Sequence, residues 1–260
     1  MNSAAIHQRA YMPLLSSAGK IARARGFRLY TEDGRRLVDL WQDGGKALLG
    51  HNPAAVTRAL KNTAGRGLFA ALPSRADDRF ARALKTLFPA ACGFAFLDAA
   101  FFSQPAEWAR ALNVPLWRPF AADSGAVQTS PRFVPVLPWP LAPVVLVQTE
   151  GAADQPLLPP PPLILAAATR AIYSLLAAPE RGGVRYSQVE AALGGEAGGF
   201  RRDGIYLYVR EANGWADVFA AGLNAGFLLP PAPEHPLILP AGLGAGEEAR
   251  LAALLAAAPV

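Results

Sequence analysis

The sequence predicts a mixed α/β protein in which helices and strands alternate along the chain. Apolar residues recur at every second position in some segments and at every third or fourth in others, the periods of strands and of helices. Prolines and glycines, 24 of each, separate these segments. Because 52% of the 260 residues are hydrophobic and 17% are charged, we expect a folded core and not a disordered chain.

Composition disfavours several classes of function. Prolines and charges interrupt every apolar run, so no membrane span is expected. The first residues lack the pattern of a secretory signal, and we expect a cytoplasmic protein. The single cysteine, Cys92, excludes an intramolecular disulfide framework and is expected to be a packed thiol. The net charge of +5 comes from scattered arginine pairs, which disfavours nucleic-acid binding.

The most informative stretch lies between residues 26 and 60. Two alternating segments flank Glu32-Asp33-Gly34, whose glycine supplies the positive φ of a tight turn, so a β-hairpin is predicted. A glycine loop follows over residues 44–51. Asn52 is expected to cap a helix that begins at Pro53, where the missing N–H of proline costs nothing.

The remaining periodic segments predict further elements. Ser74 and Asn213 are interpreted as helix caps, and Gly226 as a left-handed helix end. The acidic pairs Asp77-Asp78 and Glu247-Glu248 are interpreted as first-turn acids that complement the helix dipole. No regular period appears over 115–143. We expect helices over 77–87, 105–112, 163–178, 187–193, 215–224 and 247–257, and strands over 94–97, 144–147, 205–210, 227–229 and 237–239.

In this order and spacing, the hairpin, glycine loop and capped helix resemble the start of the class III aminotransferases, which are pyridoxal-phosphate enzymes of fold type I. The C-terminal order of strand, helix, GFLLPP and PLILPAGLGAGEEARLAALL is similar to the same family, and the matched pieces cover about half of the chain. The N-terminal matching residues are Gly26, Tyr30, Asp33-Gly34, Leu37-Val38-Asp39, Gly44 and Gly50-His51-Asn52-Pro53, with Val56 and Ala59-Leu60 after them.

The resemblance implies an α/β fold that is a remnant of the fold type I architecture. A small α+β domain would be built from both chain ends, and a shortened large α/β domain would lie between them. Residues 1–75 are expected to form the N-terminal arm and hairpin of the small domain, 76–175 the shortened large domain, and 176–260 the rest of the small domain. A seven-stranded sheet like the family's does not fit between Leu87 and Leu163.

Transamination in this family requires a lysine that forms the Schiff base and a cup of backbone amides for the phosphate. The family's lysine lies late in the large domain, whereas this chain has no lysine after Lys85. Arginine cannot replace it, because a guanidinium does not deprotonate near neutral pH. Where the family has a small-polar phosphate signature, this chain reads Asp98-Ala99-Ala100-Phe101-Phe102. The sequence therefore predicts no catalytic residue and no covalently attached pyridoxal phosphate.

The leading hypothesis is a degenerate, truncated class III aminotransferase homologue without transaminase activity. It would act as an interaction or regulatory protein, either as a homodimer or as a heterodimer with a complete paralogue, and would bind no metal, nucleic acid or membrane.

Two alternatives stay open. In one, the chain is a divergent pyridoxal-phosphate-fold enzyme or a small-ligand binder that takes an amino acid or a keto acid in the old cleft. In the other, it is an independent α/β protein whose hairpin and cap match the family by chance. The candidate cleft residues are Gly44, Gly45, Lys46, His51 and Tyr206, with Arg35 as a further candidate.

Overall fold

The computed structural model describes residues 13–97, 104–151, 159–178, 186–193, 199–211 and 213–258. Contacts divide the chain into two units, Met1–Gly44 with Glu180–Val260, and Gly45–Pro179. Both ends of the chain therefore contribute to the first unit. In the described ranges no helix is long and apolar enough to cross a membrane. The segment 98–102, which stands where the family has its phosphate signature, lies outside the described residues.

Helices and strands are numbered here along the chain. The strands are β1 (Ile21–Arg25), β2 (Arg28–Thr31), β3 (Arg36–Asp39), β4 (Gly93–Phe96), β5 (Leu116–Trp117), β6 (Arg132–Pro135), β7 (Val145–Gln148), β8 (Phe200–Asp203), β9 (Tyr206–Val209), β10 (Phe227–Leu228) and β11 (Leu237–Ile238). The helices are α1 (Ala54–Ala64), α2 (Arg75–Leu87), α3 (Pro105–Ala111), α4 (Ser124–Val127), α5 (Pro162–Leu176), α6 (Ser187–Ala192), α7 (Trp215–Asn224) and α8 (Ala245–Ala257).

The first unit contains a four-stranded sheet in the order β1-β2-β3-β10. The strands β1, β2 and β3 pair antiparallel, and β10 joins β3 in parallel. The predicted hairpin is confirmed as β2 and β3, and Gly34 adopts a φ of 85° in the turn between them. The strands β1, β2 and β3 are neighbours in the sequence, whereas β10 is supplied by the far end of the chain.

A second sheet of the same unit has the order β11-β9-β8 and is antiparallel throughout. The main chain of Leu40 links the two sheets: its N–H donates to Leu228 O at 2.9 Å, and its carbonyl accepts from Ile238 N at 2.7 Å. The sequence gives no period for β8, because only Phe200 of this strand is buried. The strand β8 is therefore defined by its pairing with β9 and not by an apolar face.

Helix α7 packs beside β10, and α8 packs beside α6. The indole N–H of Trp215 donates to Pro230 O at 3.0 Å, which satisfies a buried donor. Gly222 faces Leu229 so closely that a Cβ built on it would lie 2.6 Å from Leu229 Cγ. The helix can approach β10 this closely only because position 222 has no side chain.

The second unit is a layered α/β structure around a sheet in the order β4-β7-β6-β5. The pairs β4/β7 and β6/β7 are antiparallel and β5/β6 is parallel. On one face, Ala95, Val134 and Leu146 pack against Ala109 of α3. Residues that alternate with these along the strands lie on the opposite face of the sheet. On that face Phe80 of α2 stacks on Phe96, with ring centroids 5.9 Å apart.

Helices α1 and α2 both pack against α5. The domain expectation grouped 1–75 with the hairpin, but the contacts place α1 in the second unit. The physical reason is α5, which buries Leu165, Ala168 and Ile172 and gives α1 an apolar partner in the same unit. The segment 115–143, in which the sequence shows no regular period, contains β5, α4 and β6, because such short elements leave no measurable period.

The predicted caps have mixed outcomes. Ser74 caps α2 as expected, through a capping box with Asp77. Asn52 does not cap α1; the cap residue is Pro53, whose carbonyl accepts the N–H groups of Val56 and Thr57.

The start of α7 also differs from the prediction, since Gly214 occupies the cap position with a φ of 67° and Asn213 does not. Gly226 follows the end of this helix in the left-handed conformation, as predicted. Cys92 is exposed and not packed, because it precedes β4 at the edge of the sheet, where its N–H donates to Gln148 O.

Candidate functional site

The loop after β3 begins at a buried carboxylate. Asp39 is 2% exposed, and its Oδ1 accepts the N–H groups of Trp41 at 2.9 Å and of Gln42 at 2.8 Å. This is the pattern by which an aspartate side chain closes a turn over the following residues. The loop conformation is thus set by a residue of the strand, and the strand is fixed by β2 and β10 on either side.

The same loop holds an unusual run of backbone conformations. Gln42 and Asp43 have φ values of 50° and 51°, followed by Gly44 at 68° and Gly45 at 103°. Left-handed non-glycine residues cost free energy, and they cluster at ligand and switch sites. Sequence reasoning identified the two glycines but not the two residues before them, whose conformation follows from Asp39.

Gln42 anchors this run in the first unit. Its side chain is fully buried, and Nε2 donates to Ile238 O at 3.0 Å, next to the β11 pairing. Its Oε1 and the indole nitrogen of Trp41 are buried without a hydrogen-bond partner in the described part of the chain. The loop therefore carries one spare acceptor and one spare donor beside the strained backbone.

The five residues predicted to line a cleft belong to both units. Gly44 and Tyr206 lie in the first unit, and Gly45, Lys46 and His51 lie in the second. Tyr206 is fully buried in β9, Lys46 is 4% exposed, and His51 is half-buried. A shared cleft formed by these residues stays a prediction.

Arg35, the further candidate, stabilises the hairpin turn. Its guanidinium pairs with Asp33 at 2.9 Å and donates to Ala18 O at 3.0 Å. The hydroxyl of Thr31, together with Arg35, holds the pKa of the exposed Asp33 carboxyl below its ordinary value. These bonds tie the turn to the residues before β1.

A charged cluster joins the two chain ends within the first unit. Glu247 of α8 is 5% exposed and receives Arg28 Nη2 at 2.5 Å, Arg28 Nε at 3.0 Å and Arg36 Nη2 at 3.1 Å. Its Oε2 also accepts the N–H of Gly244 at 2.9 Å, which completes a capping box. Sequence reasoning missed this cluster, because Glu247 has the same local signature as any first-turn acid.

The electrostatics of the cluster follow from these contacts. Burial alone raises the pKa of Glu247, but the hydrogen bonds from Arg28 and Gly244 and the charges of Arg28 and Arg36 outweigh it, so the pKa lies below its ordinary value. The hydrogen bond to Glu247 raises the pKa of Arg28. Glu247 is therefore a buried carboxylate that stays ionised and holds β2, β3 and α8 together.

The second unit contains a cavity of about 330 Å³ between α2 and the strands β4 and β7. Its walls are mostly aromatic and aliphatic, and two carboxylates from the start of α2 lie at one end. The lining residues are Asp77, Asp78, Phe80, Ala81, Leu84, Phe94, Ala95, Phe96, Val145 and Pro159.

No group of His, Cys, Asp and Glu side chains that could hold a metal ion occurs in the described residues. Of the chain's four lysines, Lys20 and Lys61 are exposed and Lys46 is buried, while Lys85 on α2 donates its ammonium to Ala91 O.

Solved structures of aminotransferases share the fold of this chain. An ω-transaminase from Sphaerobacter thermophilus aligns with a TM-score of 0.63 and 13% identity over 92% of this chain and 90% of the other. An N-acetylornithine aminotransferase from Stenotrophomonas maltophilia aligns with a TM-score of 0.60 and 16% identity over 94% and 97%. The chain thus has the α/β fold of the class III aminotransferases, and the predicted resemblance is confirmed at the level of the fold.

Sequence relatives cover less of the chain. An uncharacterized protein of Treponema pallidum is 37% identical over 153 residues, which are 53% of this chain and 47% of the relative. A glutamate-1-semialdehyde 2,1-aminomutase of Sorangium cellulosum is 39% identical over 69 residues, 26% of this chain and 16% of that enzyme. The chain spans less than half the length of these relatives. No protein-family model matches it.

Proposed function

We propose that this chain is a protein of the aminotransferase fold that does not catalyse transamination and that acts as an interaction or regulatory subunit, as a homodimer or bound to a complete relative. One observation carries the interaction role: residues 65–73, which connect α1 to α2, are all exposed and mostly apolar. We call this segment the apolar loop. It holds Leu68, Phe69 and Leu72, with exposed fractions of 40%, 59% and 65%.

The apolar loop concentrates hydrophobic surface in one place. Three of the seven large hydrophobic side chains that are exposed in the described residues lie within these nine positions. Scattered exposed apolar residues are ordinary, but a contiguous set marks an interaction surface. A second copy of the chain would bury this set at the centre of an interface, where aromatic and aliphatic side chains contribute most.

The backbone of the apolar loop forms hydrogen bonds within the chain. Phe69 N–H donates to Gly67 O at 3.0 Å and Leu72 N–H donates to Ala70 O at 2.9 Å. The N–H of Leu163, at the start of α5, donates to Leu68 O at 3.3 Å. A preorganised loop loses less conformational freedom on association than a disordered one, which favours a role in binding.

The absence of transamination is argued from the lysines. Lys20 and Lys61 are exposed, and Lys85 already donates to a backbone carbonyl. Lys46 is buried but lies close to the start of the second unit in sequence, whereas the family's lysine lies late in the large domain. The described lining of the cavity in this unit has two carboxylates and no cationic side chain, which disfavours a phosphate. These residues do not fit a covalently held pyridoxal phosphate.

The experiment that tests the interaction role is the mass of the protein in solution. We expect wild type to sediment as a dimer at micromolar concentration, and the double variant Phe69→Asp, Leu72→Asp to sediment as a monomer. Leu141→Asp is the matched control, because Leu141 is 41% exposed in the same unit but lies outside the apolar loop. A monomeric wild type, or a double variant that dimerises like the control, would contradict the homodimer.

The lack of a Schiff base is tested by reduction with borohydride in the presence of pyridoxal phosphate, followed by intact mass and peptide mapping. We expect scattered, substoichiometric pyridoxyl groups on the exposed Lys20 and Lys61, as for any surface amine. One pyridoxyl group per chain on Lys46 or Lys85, together with conversion of the cofactor by an amino donor, would overturn this part of the proposal.

The loop over residues 42–45, which we call the strained loop, favours a second candidate function: binding of a small ligand, either an amino acid or a keto acid. Gln42 and Asp43 hold a conformation that costs free energy, and Gln42 Oε1 is a buried acceptor without a partner in the described residues. A thermal-shift screen with pyridoxal phosphate, amino acids and keto acids tests it. A melting temperature that no compound raises would reject this candidate.

A further inference from the structure

The cavity of the second unit has a shape and a polarity that suit a small ligand. Its volume of about 330 Å³ lies at the lower end of the range for ligand pockets, roughly 300 to 1,000 Å³. Phe80 and Phe96 stack with an interplanar angle of 15°, and Val145 is opposite Phe96 in the β4/β7 pairing. The cavity is thus built on paired strands and a capped helix, which hold its walls in place.

The polar side chains in the described lining of the cavity are two carboxylates, Asp77 and Asp78. Asp77 is fixed by the capping box, in which its Oδ2 accepts the N–H of Ser74 at 2.6 Å. Its Oδ1 is buried and has no hydrogen-bond partner among the described residues. Asp78 is exposed, lines the same cavity and forms no ion pair within the described part of the chain. Among the described lining residues none carries a positive charge, so these residues do not neutralise the two carboxylates.

We propose that this cavity binds a hydrophobic monocation: a small aryl or alkyl group occupies the apolar part, and a protonated amine lies at the end formed by Asp77 and Asp78. Burial of the apolar body contributes roughly 25 cal/mol per Å² of surface removed from water. The ammonium gains an opposite charge at Asp78 and an aromatic wall that attracts cations.

The same charges determine what the cavity rejects. A ligand carboxylate or phosphate would stand against Asp77 and Asp78 without a compensating cation, and like charges at close range are strongly unfavourable. Amino acids, keto acids and pyridoxal phosphate are therefore excluded here. The proposal is independent of the dimer through the apolar loop and of the ligand suggested for the strained loop.

Calorimetric titration of the cofactor-free full chain tests the proposal with three compounds of similar shape: 2-phenylethylammonium, 2-phenylethanol and phenylacetate. We expect the ammonium compound to bind most tightly, the neutral alcohol about tenfold more weakly, and phenylacetate not at all. Equal binding of phenylacetate, or no binding of the ammonium compound, would overturn the proposal.

Two variants locate the site. Asp78→Asn removes a charge from the cavity but leaves the capping box intact, and we expect about a five- to tenfold loss of affinity for 2-phenylethylammonium. Asp217→Asn is the matched control, because Asp217 is also an exposed first-turn aspartate, on α7 in the first unit. An equal loss in both variants, or a loss in neither, would refute the assigned charge.

The second variant fills the cavity. Ala81 is exposed on α2 and lines the cavity, so Ala81→Trp places a large ring at the opening without disturbing the core. We expect it to abolish binding, whereas Ala220→Trp on the exposed side of α7 leaves binding unchanged. Retained binding in Ala81→Trp would show that the ligand lies elsewhere and would overturn the proposal.

Discussion

Removal of the Glu247 carboxylate is the most direct test of how the first unit is held together. Glu247→Ala deletes four hydrogen bonds at once, three from Arg28 and Arg36 and one from the N–H of Gly244. Because these arginines belong to β2 and β3, the substitution disconnects α8 from the hairpin. We therefore expect a loss of stability far larger than that of an ordinary surface acid.

The magnitude follows from what the partners do afterwards. The side chains of Arg28 and Arg36 are 28% and 52% exposed, so water can solvate both guanidinium groups once Glu247 is gone. Loss of the hydrogen bonds from Arg28 and Arg36 therefore costs only the net value of charged hydrogen bonds. This is about 2 kcal/mol in total, because the bond from the exposed Arg36 contributes little. Loss of the capping bond adds about 1 kcal/mol. The free energy of unfolding should therefore fall by about 3 kcal/mol.

The assay is urea unfolding followed by tryptophan fluorescence and by circular dichroism. Glu248→Ala is the matched control: it removes the same charge from the same helix turn, where Glu248 Oε1 accepts one exposed hydrogen bond from Gln188 N–H. We expect this control to lose less than about 1 kcal/mol. If both variants lose the same amount, the reasoning is refuted, because burial of Glu247 would then make no difference.

The pH dependence gives an independent check of the same cluster. The folded-state pKa of Glu247 is lowered, so its contribution is fully present above the unfolded-state pKa of about 4.3 and is lost as the pH falls through the lower folded-state value. Wild type should thus lose stability more steeply than Glu247→Gln as the pH falls through the acid range. Parallel profiles below that pKa would contradict an ionised, buried Glu247.

Two further predictions concern the helices. Gly222→Ala should lower the free energy of unfolding by about 1 to 3 kcal/mol, because its Cβ would overlap the side chain of Leu229; Gly125→Ala, which meets no atom within 4 Å, is the control, and an equal effect in urea unfolding would contradict the overlap. Ser74→Ala should cost about 1 kcal/mol through loss of the α2 cap, whereas Thr86→Ala, which removes an exposed bond to Arg82 O, should cost less in the same assay.

Sequence alone predicts the elements whose signal is local. The hairpin follows from Asp33-Gly34 between alternating segments, and α2 from Ser74 with an apolar face containing Phe80 and Leu84. Elements defined by pairing are not predicted: β8 has one buried residue, and β5 has only two residues. The partner of β5 is β6, which lies beyond α4 in the sequence. The partner of β8 is the neighbouring β9, but β8 has no apolar alternation from which a strand could be predicted.

The two capping boxes show why the candidate sites are harder to predict than the fold. Asp77 and Glu247 occupy the same position in α2 and α8, each accepting the N–H of its cap residue. From the sequence both are first-turn acids. The structure distinguishes them. Glu247 accepts hydrogen bonds from Arg36 and Arg28, which precede it by 211 and 219 positions in the sequence. Asp77 lies beside an apolar cavity, and one of its oxygens has no hydrogen-bond partner among the described residues. One carboxylate is therefore fully used for stability, and the other retains the capacity to bind a cation.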